Sequence, residues 1–375
     1  MTTWLAATRL RAQILIERQR YEFKNRRRFS EFDAQARFRT LLVSLPDRIP
    51  QSQIEAFFLF ANRARRTFGT SIREVGLQDF LTKTNLPKDA DIVAFQSDYS
   101  LDQTLLEKVK EVVRRWHPRA KLVYLDYFAP TDLRFAELLD ESISWYVKKN
   151  ILRDLKRYDV PNFGDTYLMD YYGRKYGLDH VITCHRVSSG FLSKLIVAPS
   201  FLSAADFARF FHGPAPTQAN RGIDLHVRFD RVGSPWYERM RTDAMQAINR
   251  IKVEERTKFE RAPRHVFLAE LRRSKICFSP YGYGEVCWRD FEAAMMGAVI
   301  LKPTMNEVLT EPDFYRAWET YAPVDRDLSN LSAVVDALLA DKELREQLSR
   351  NAYYNCQRYL AGDDFLVKMK PLLAR

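Results

Sequence analysis

The sequence predicts an α/β protein of two successive halves, each a parallel sheet covered by helices. Three observations point there. Short apolar runs alternate with helical stretches of roughly 10 to 15 residues, the pattern of parallel strands joined by crossover helices. A polar segment rich in Pro and Gly interrupts the series once. In the second half an apolar run passes through a glycine-rich turn directly into a helix.

The elements follow in order. Residues 4 to 28 read as one basic helix, with Leu5, Leu10, Ile14 and Ile16 set among arginines; with the residues up to 39 it forms an N-terminal extension. Thr40 to Ser44 is a first strand, and Gln51 to Phe68 a helix. Asp91 to Gln96 is a second strand, Leu105 to Trp116 a helix, Lys121 to Tyr127 a third strand and His180 to Cys184 a fourth. The polar segment His212 to Gly222 then reads as a linker between a first half, 40 to 212, and a second, 222 to 375. The second series runs through Ile223 to Phe229 (strand), Trp236 to Ile251 and His265 to Arg273 (helices) and Lys275 to Ser279 (strand). It continues with Trp288 to Met296 (helix), Val299 to Lys302 (strand) and helices from Asn330 to Leu373. Two Rossmann-like halves would hold a ligand in the cleft at the carboxyl ends of their strands.

With 375 residues and 46% apolar content the chain can bury two sizeable cores. No apolar run reaches the about 18 residues of a membrane span, and the first residues lack a secretory signal's apolar centre. These features predict a cytoplasmic protein. Cys184, Cys277, Cys287 and Cys356 form no Cys-x-x-Cys pair, so buried free thiols are expected rather than a disulfide framework or zinc site. The net charge of +11 suits a nucleotide, an anionic membrane surface or a nucleic acid.

Most of the chemistry lies between Ser274 and Pro303. The turn Pro280-Tyr281-Gly282-Tyr283-Gly284 lets backbone approach a ligand closely, and the helix that follows offers free amides and a positive dipole end. Arg289 could grip a phosphate in two-pronged fashion, and Glu292, one turn on, could accept two ribose hydroxyls. Ala293, Ala294 and Gly297 allow close packing of that helix on the sheet.

This segment resembles the nucleotide-sugar site in the C-terminal domain of GT-B glycosyltransferases, in the style of the exostosin-like branch and of group 1-like domains. The matching positions are Pro280, Gly282, Arg289, Glu292, Ala293 and Gly297, about 30 residues in all. The resemblance implies that Glu292 holds the donor's ribose and that Arg289 and the turn amides around Tyr283, Gly284 and Glu285 hold its phosphates. Retaining GT-B enzymes carry two glutamates with seven residues between them. Glu285 and Glu292 have six between them, which favours inversion. Arg228 and Lys302, at two further strand ends, are candidates for the donor's phosphates. In the first half, Asp98, Asp126 and His185 are candidates for the base that takes the acceptor's proton. No Asp-x-Asp triplet of the metal-binding kind is read at a strand end, so no metal or other cofactor is expected.

The reading is an inverting transferase. It passes a sugar from a nucleotide-sugar donor to a glycan or glycolipid acceptor, at the inner face of a membrane, in cell-surface polysaccharide assembly. A transferase acting on modified DNA bases uses the same residues. So does a non-catalytic nucleotide- or nucleic-acid-binding protein whose aromatics, Trp145 and Tyr146 among them, stack on bases.

Overall fold

The computed structural model describes residues 28–375 together with residues 8, 10–12, 15, 16 and 19. The basic helix expected over 4 to 28 therefore lies almost wholly outside the described residues, though Leu10 is buried against the core.

Two parallel sheets carry the fold. The first half contributes β1 (Phe38–Ser44), β2 (Thr70–Gly76), β3 (Ile92–Phe95), β4 (Lys121–Asp126), β5 (Trp145–Lys148), β6 (Asn150–Leu152), β7 (Asn162–Phe163), β8 (Ile182–Thr183) and β9 (Leu195–Val197). Six of these form one sheet in the order β2-β1-β3-β4-β5-β9, every neighbouring pair parallel. The second half contributes β10 (Ile223–His226), β11 (Ser274–Phe278), β12 (Val299–Pro303), β13 (Val308–Thr310) and β14 (Ala322–Val324). Four of them form a parallel sheet in the order β10-β11-β12-β14. Both sheets are buried on both faces, which is why their central strands read as unbroken apolar runs.

Several elements differ from the sequence reading. The helix expected over 51 to 68 is two helices, Arg48–Leu59 and Ala61–Phe68, broken at Phe60. Phe60 turns inward to stack on Phe365 of the C-terminal tail, ring centroids 4.5 Å apart. Edge strand β2 escapes an apolar search because it carries Arg73 and Glu74. Both are buried, Arg73 against Asp33 and Glu74 against Arg28 and Ser44. The segment His180 to Cys184 is not a strand of the main sheet. Only Ile182–Thr183 pairs, with β7 in a separate two-stranded antiparallel sheet, and Val181 and Ile182 are exposed. The place beside β5 belongs to β9. Cys277 and Cys356 are buried free thiols as expected, whereas Cys184 is exposed.

The two halves are tied in three ways. Residues 211–222 cross between them without helix or strand. β6, leaving the end of β5, pairs antiparallel with β13 of the other half, Leu152 opposite Val308. The tail helices Asp364–Lys368 and Lys370–Leu373 return to the first sheet, where Thr40 Oγ1 donates to the carbonyl of Leu372 at 2.6 Å. One apolar cluster runs through all of this, from Phe57 and Phe60 through Phe207 and Phe291 to Phe365 and Leu372. No described helix is long and apolar enough to cross a membrane.

Candidate active site

The carboxyl ends of the two sheets face each other, and two loops touch there. From the first sheet comes the loop after β4, Tyr127 to Asp132. From the second comes the turn after β11, Ser279 to Val286. A Cβ placed on Gly284 would fall 2.0 Å from the carbonyl oxygen of Ala129, so only glycine permits this approach of backbone to backbone. The first loop is held from behind. Asn150 Nδ2 donates to Ala129 O at 3.3 Å, and Lys149 Nζ donates to Tyr127 O at 2.7 Å and to the carbonyl of Phe128. Sequence reasoning missed Lys149 and Asn150. The signal was the three polar residues that close the apolar run Trp145 to Val147.

The turn leads into the helix Trp288–Met296, whose start is fixed by Asp290. This buried carboxylate accepts from the backbone N–H of Cys287 at 3.0 Å and the hydroxyl of Tyr315 at 2.5 Å, and pairs with Lys302 at 3.2 Å. Lys302 is fully buried in that pair and also reaches the Ser279 carbonyl at 3.4 Å. It therefore supports the turn from beneath rather than presenting its ammonium to the cleft.

Glu285 is the most unusual group in the site. It is 1% exposed, and neither carboxylate oxygen has a partner outside its own residue. Burial pushes its carboxyl up to about 7, against the charges of Arg326 and Lys302 and with that of Asp132. Lys149, buried opposite, moves the other way: burial brings its ammonium down to about 7, helped by Lys148 and opposed by Asp126 and Glu285. An acid and a base on opposite halves are thus both brought near neutrality.

The remaining candidates are placed as follows. Arg289 Nη2 donates to the carbonyl of Arg228 at 2.7 Å, and its Nε is buried without a partner. Glu292 is nearly buried, with a single contact at 3.4 Å from Arg264 Nε; burial pushes its carboxyl up, against Arg264, Arg289 and Arg48. Arg228 is engaged by both oxygens of Glu270, at 2.5 and 2.7 Å, so its guanidinium is already neutralised. Tyr283 stacks on Tyr237 at 4.6 Å and accepts from the N–H of Ser234 at 3.0 Å.

On the first half, Asp126 is fully buried and accepts from Tyr146 at 2.5 Å, Lys148 at 2.7 Å and the N–H of Phe128 at 2.9 Å. These bonds occupy it with shaping the loop after β4. Asp98 is exposed and bonds the N–H and hydroxyl of Ser100, and those bonds hold its carboxyl below the ordinary value. His185 Nε2 lies 3.2 Å from Asp165 Oδ1, Asp165 pairs with Arg134 at 3.0 Å, and Arg134 grips Asp132. Burial disfavours the imidazolium, but the bond to Asp165 and the charge of Asp132 outweigh it and raise the histidine. Asp132 thus acts on both His185 and Glu285 and links the histidine to the loop contact.

Contrary to the expectation from sequence, a strand end does carry an Asp-x-Asp triplet. Asp325 and Asp327 form an Asp-x-Asp triplet directly after β14, a strand that the sequence reading lacks. Both carboxylates are turned to Ser329, at 3.2 and 3.0 Å, and shape the loop.

No family model and no curated protein matches the chain. Solved structures do. An alpha-glucosyltransferase in complex with UDP and a 13-mer DNA containing a HMU base is 8% identical, with a TM-score of 0.51 over 92% of this chain and 100% of its own. A glycosyltransferase from Rickettsia africae is 9% identical, with a TM-score of 0.50 over 89% of this chain and 98% of its own. At such identities the likeness is one of fold. With two Rossmann-like halves whose sheets meet at the carboxyl ends of their strands, the chain has the fold of the GT-B glycosyltransferases.

Proposed function

We propose that the protein is a glycosyltransferase that moves a sugar from a nucleotide-activated donor to an acceptor hydroxyl. The observation that carries this reading is Glu285, buried with both oxygens unpartnered on the turn that leads into the helix bearing Arg289. Sugar hydroxyls are the donors that would satisfy such a carboxylate, and the adjoining amides and Arg289 suit a diphosphate. The exostosin-like spacing of Pro280, Gly282, Arg289 and Glu292 supports the same donor class.

In this reading the leaving diphosphate's charge is met by Arg289 and the first amides of helix Trp288–Met296, which is the basis for proposing that no metal is required. Inversion needs a base on the acceptor side. His185, oriented by Asp165, is better suited than Asp98, whose carboxyl is lowered, or Asp126, whose oxygens are taken. The six-residue spacing between Glu285 and Glu292 favours the same stereochemistry. A glycan or glycolipid acceptor at the cytoplasmic face of a membrane would place the enzyme in cell-surface polysaccharide assembly.

A second acceptor class, a modified base in duplex DNA, is favoured by the charge of +11 and by the neighbour whose complex contains DNA. DNA affinity falling steeply with salt would support it, at a slope of about 0.9 per phosphate contact. A purely nucleotide- or nucleic-acid-binding role would show binding without turnover.

The test is a thermal-shift panel of UDP, GDP, ADP, dTDP and CMP, followed by release of nucleotide from the matching nucleotide sugar. A shift with one nucleotide, lost in Glu292→Ala, together with turnover lost in Glu285→Gln, is the expected result. No shift and no turnover across the panel would end the transferase reading.

A further inference from the structure

Arg241 lies on the second turn of helix Pro235–Asn249 and is 4% exposed. Its guanidinium sits against two rings, 4.8 Å from the centroid of Tyr237 and 5.2 Å from that of Phe229. Among the described residues it has no hydrogen bond and no ion pair, its Nε is buried and unpartnered, and the carboxylate that acts on it, Asp230, is already paired with Arg261. The other buried arginines behave differently. Arg73 pairs with Asp33, Arg221 donates to the carbonyls of Leu271, Ser274 and Met296, and Arg345 donates to that of Leu339. Burying a guanidinium without such partners is costly, and aromatic faces compensate only in part.

A second arginine stands beside it. Arg289 spends one nitrogen on the carbonyl of Arg228 and leaves Nε buried without a partner. The two like charges act on each other: burial and the neighbouring Arg289 lower Arg241, against Tyr237, Cys287 and Asp230. Around them stand the stacked rings of Tyr237 and Tyr283 and the unpartnered hydroxyl of Ser234. Two half-satisfied guanidinium groups, neither in an ion pair of its own, and an unpartnered hydroxyl suit a tetrahedral oxyanion.

We infer that Arg241 and Arg289 together seat a phosphate group, the outer phosphate of a nucleoside diphosphate, with the Tyr237–Tyr283 stack as one wall. The ligand's identity rests on the proposed transferase reading; the seat itself does not. Arg228, which the sequence singles out for this task, is neutralised by Glu270. Arg241 takes its place from the helix rather than from the strand end.

The experiment compares wild type, Arg241→Met and Arg241→Lys by thermal shift and calorimetry, using inorganic pyrophosphate and then the preferred nucleoside diphosphate. Wild type should be stabilised by pyrophosphate alone. Arg241→Met should melt at or above the wild-type temperature without ligand, because an unpaired buried charge is gone, yet bind pyrophosphate at least tenfold more weakly. Arg241→Lys, which keeps the charge but not the fork, should bind several-fold more weakly. It also serves as the deciding variant if the methionine form does not fold. Pyrophosphate affinity within twofold of wild type in either folded variant overturns the seat. Binding of pyrophosphate through Arg241 with no nucleoside diphosphate binding would leave the seat standing and remove the transferase reading instead.

Discussion

Gly284 and Ala129, from opposite halves of the molecule, are in backbone contact: a Cβ on the glycine would lie 2.0 Å from the alanine's carbonyl oxygen and 2.3 Å from its carbonyl carbon. Neither atom is the end of a flexible side chain, so the loops would have to part. Gly284→Ala should cost about 1–3 kcal/mol, the usual penalty of overpacking. It should also weaken nucleotide binding, because the same turn carries Glu285 and leads to Arg289. Urea unfolding together with nucleotide titration checks both. A stable variant with unchanged affinity would mean that the contact is dispensable.

Much of this geometry could be read from the chain. The run from Ser274 to Pro303 keeps its expected strand, turn and helix, with Trp288–Met296 bounded as the sequence suggested. Local pattern sufficed there, because apolar strands and a glycine turn announce themselves. It failed where polar residues are buried in long-range pairs. β2 hides Arg73 and Glu74, and the sequence cannot show that Glu270 occupies Arg228 or that Asp290 occupies Lys302. The partners lie 42 and 12 residues away, and only the fold brings them together. Arg241 went unremarked for the same reason, since an arginine on a helix reads as exposed until its burial is seen.

Lys302 and Asp290 form a fully buried pair. Removing one partner of such a pair leaves a charge without compensation, and Lys302→Met should cost about 3–5 kcal/mol. The double variant Lys302→Met/Asp290→Asn should recover a large part of that loss, because neither charge remains buried alone. Denaturant unfolding of both variants measures this. A Lys302→Met protein that keeps its stability but loses nucleotide binding would instead place the lysine on the ligand.

His185 and Asp165 give a pH signature. The histidine is raised above its ordinary 6.5 by Asp165, despite burial, and the bond from His185 holds Asp165 below its ordinary 3.8. A raised histidine stabilises fully below 6.5 and loses that contribution as pH rises through its folded value. A lowered aspartate contributes above 3.8 and fades as pH falls. The pair therefore helps most between those two values, modestly because Asp165 is half exposed. His185→Gln should lower the melting temperature near pH 5 and leave it unchanged near pH 9. Activity should run the opposite way: a base must be unprotonated, so the wild-type rate should fall on the acid side of a value above 6.5. A rate profile without that limb would remove His185 as the base.

Glu285 sets stability against function most directly. Its folded value near 7 lies above the ordinary 4.5, so the folded state prefers the protonated carboxyl. The group is neutral to stability below 4.5. It becomes a growing liability as pH rises toward 7, reaching as much as about 3 kcal/mol above that. Glu285→Gln should therefore stabilise the protein at pH 8 by an amount that shrinks toward zero at pH 4. The amide cannot accept two hydroxyls as a carboxylate does, so the same variant should lose most of its turnover and bind the nucleotide sugar more weakly than the bare nucleotide diphosphate. Stability curves at the two pH values and paired titrations separate these effects. A variant stabilised at pH 8 that still turns over normally would show the buried carboxylate to be strain without a task. Loss of turnover with stability unchanged at pH 8 would mean that the carboxylate has partners of its own already.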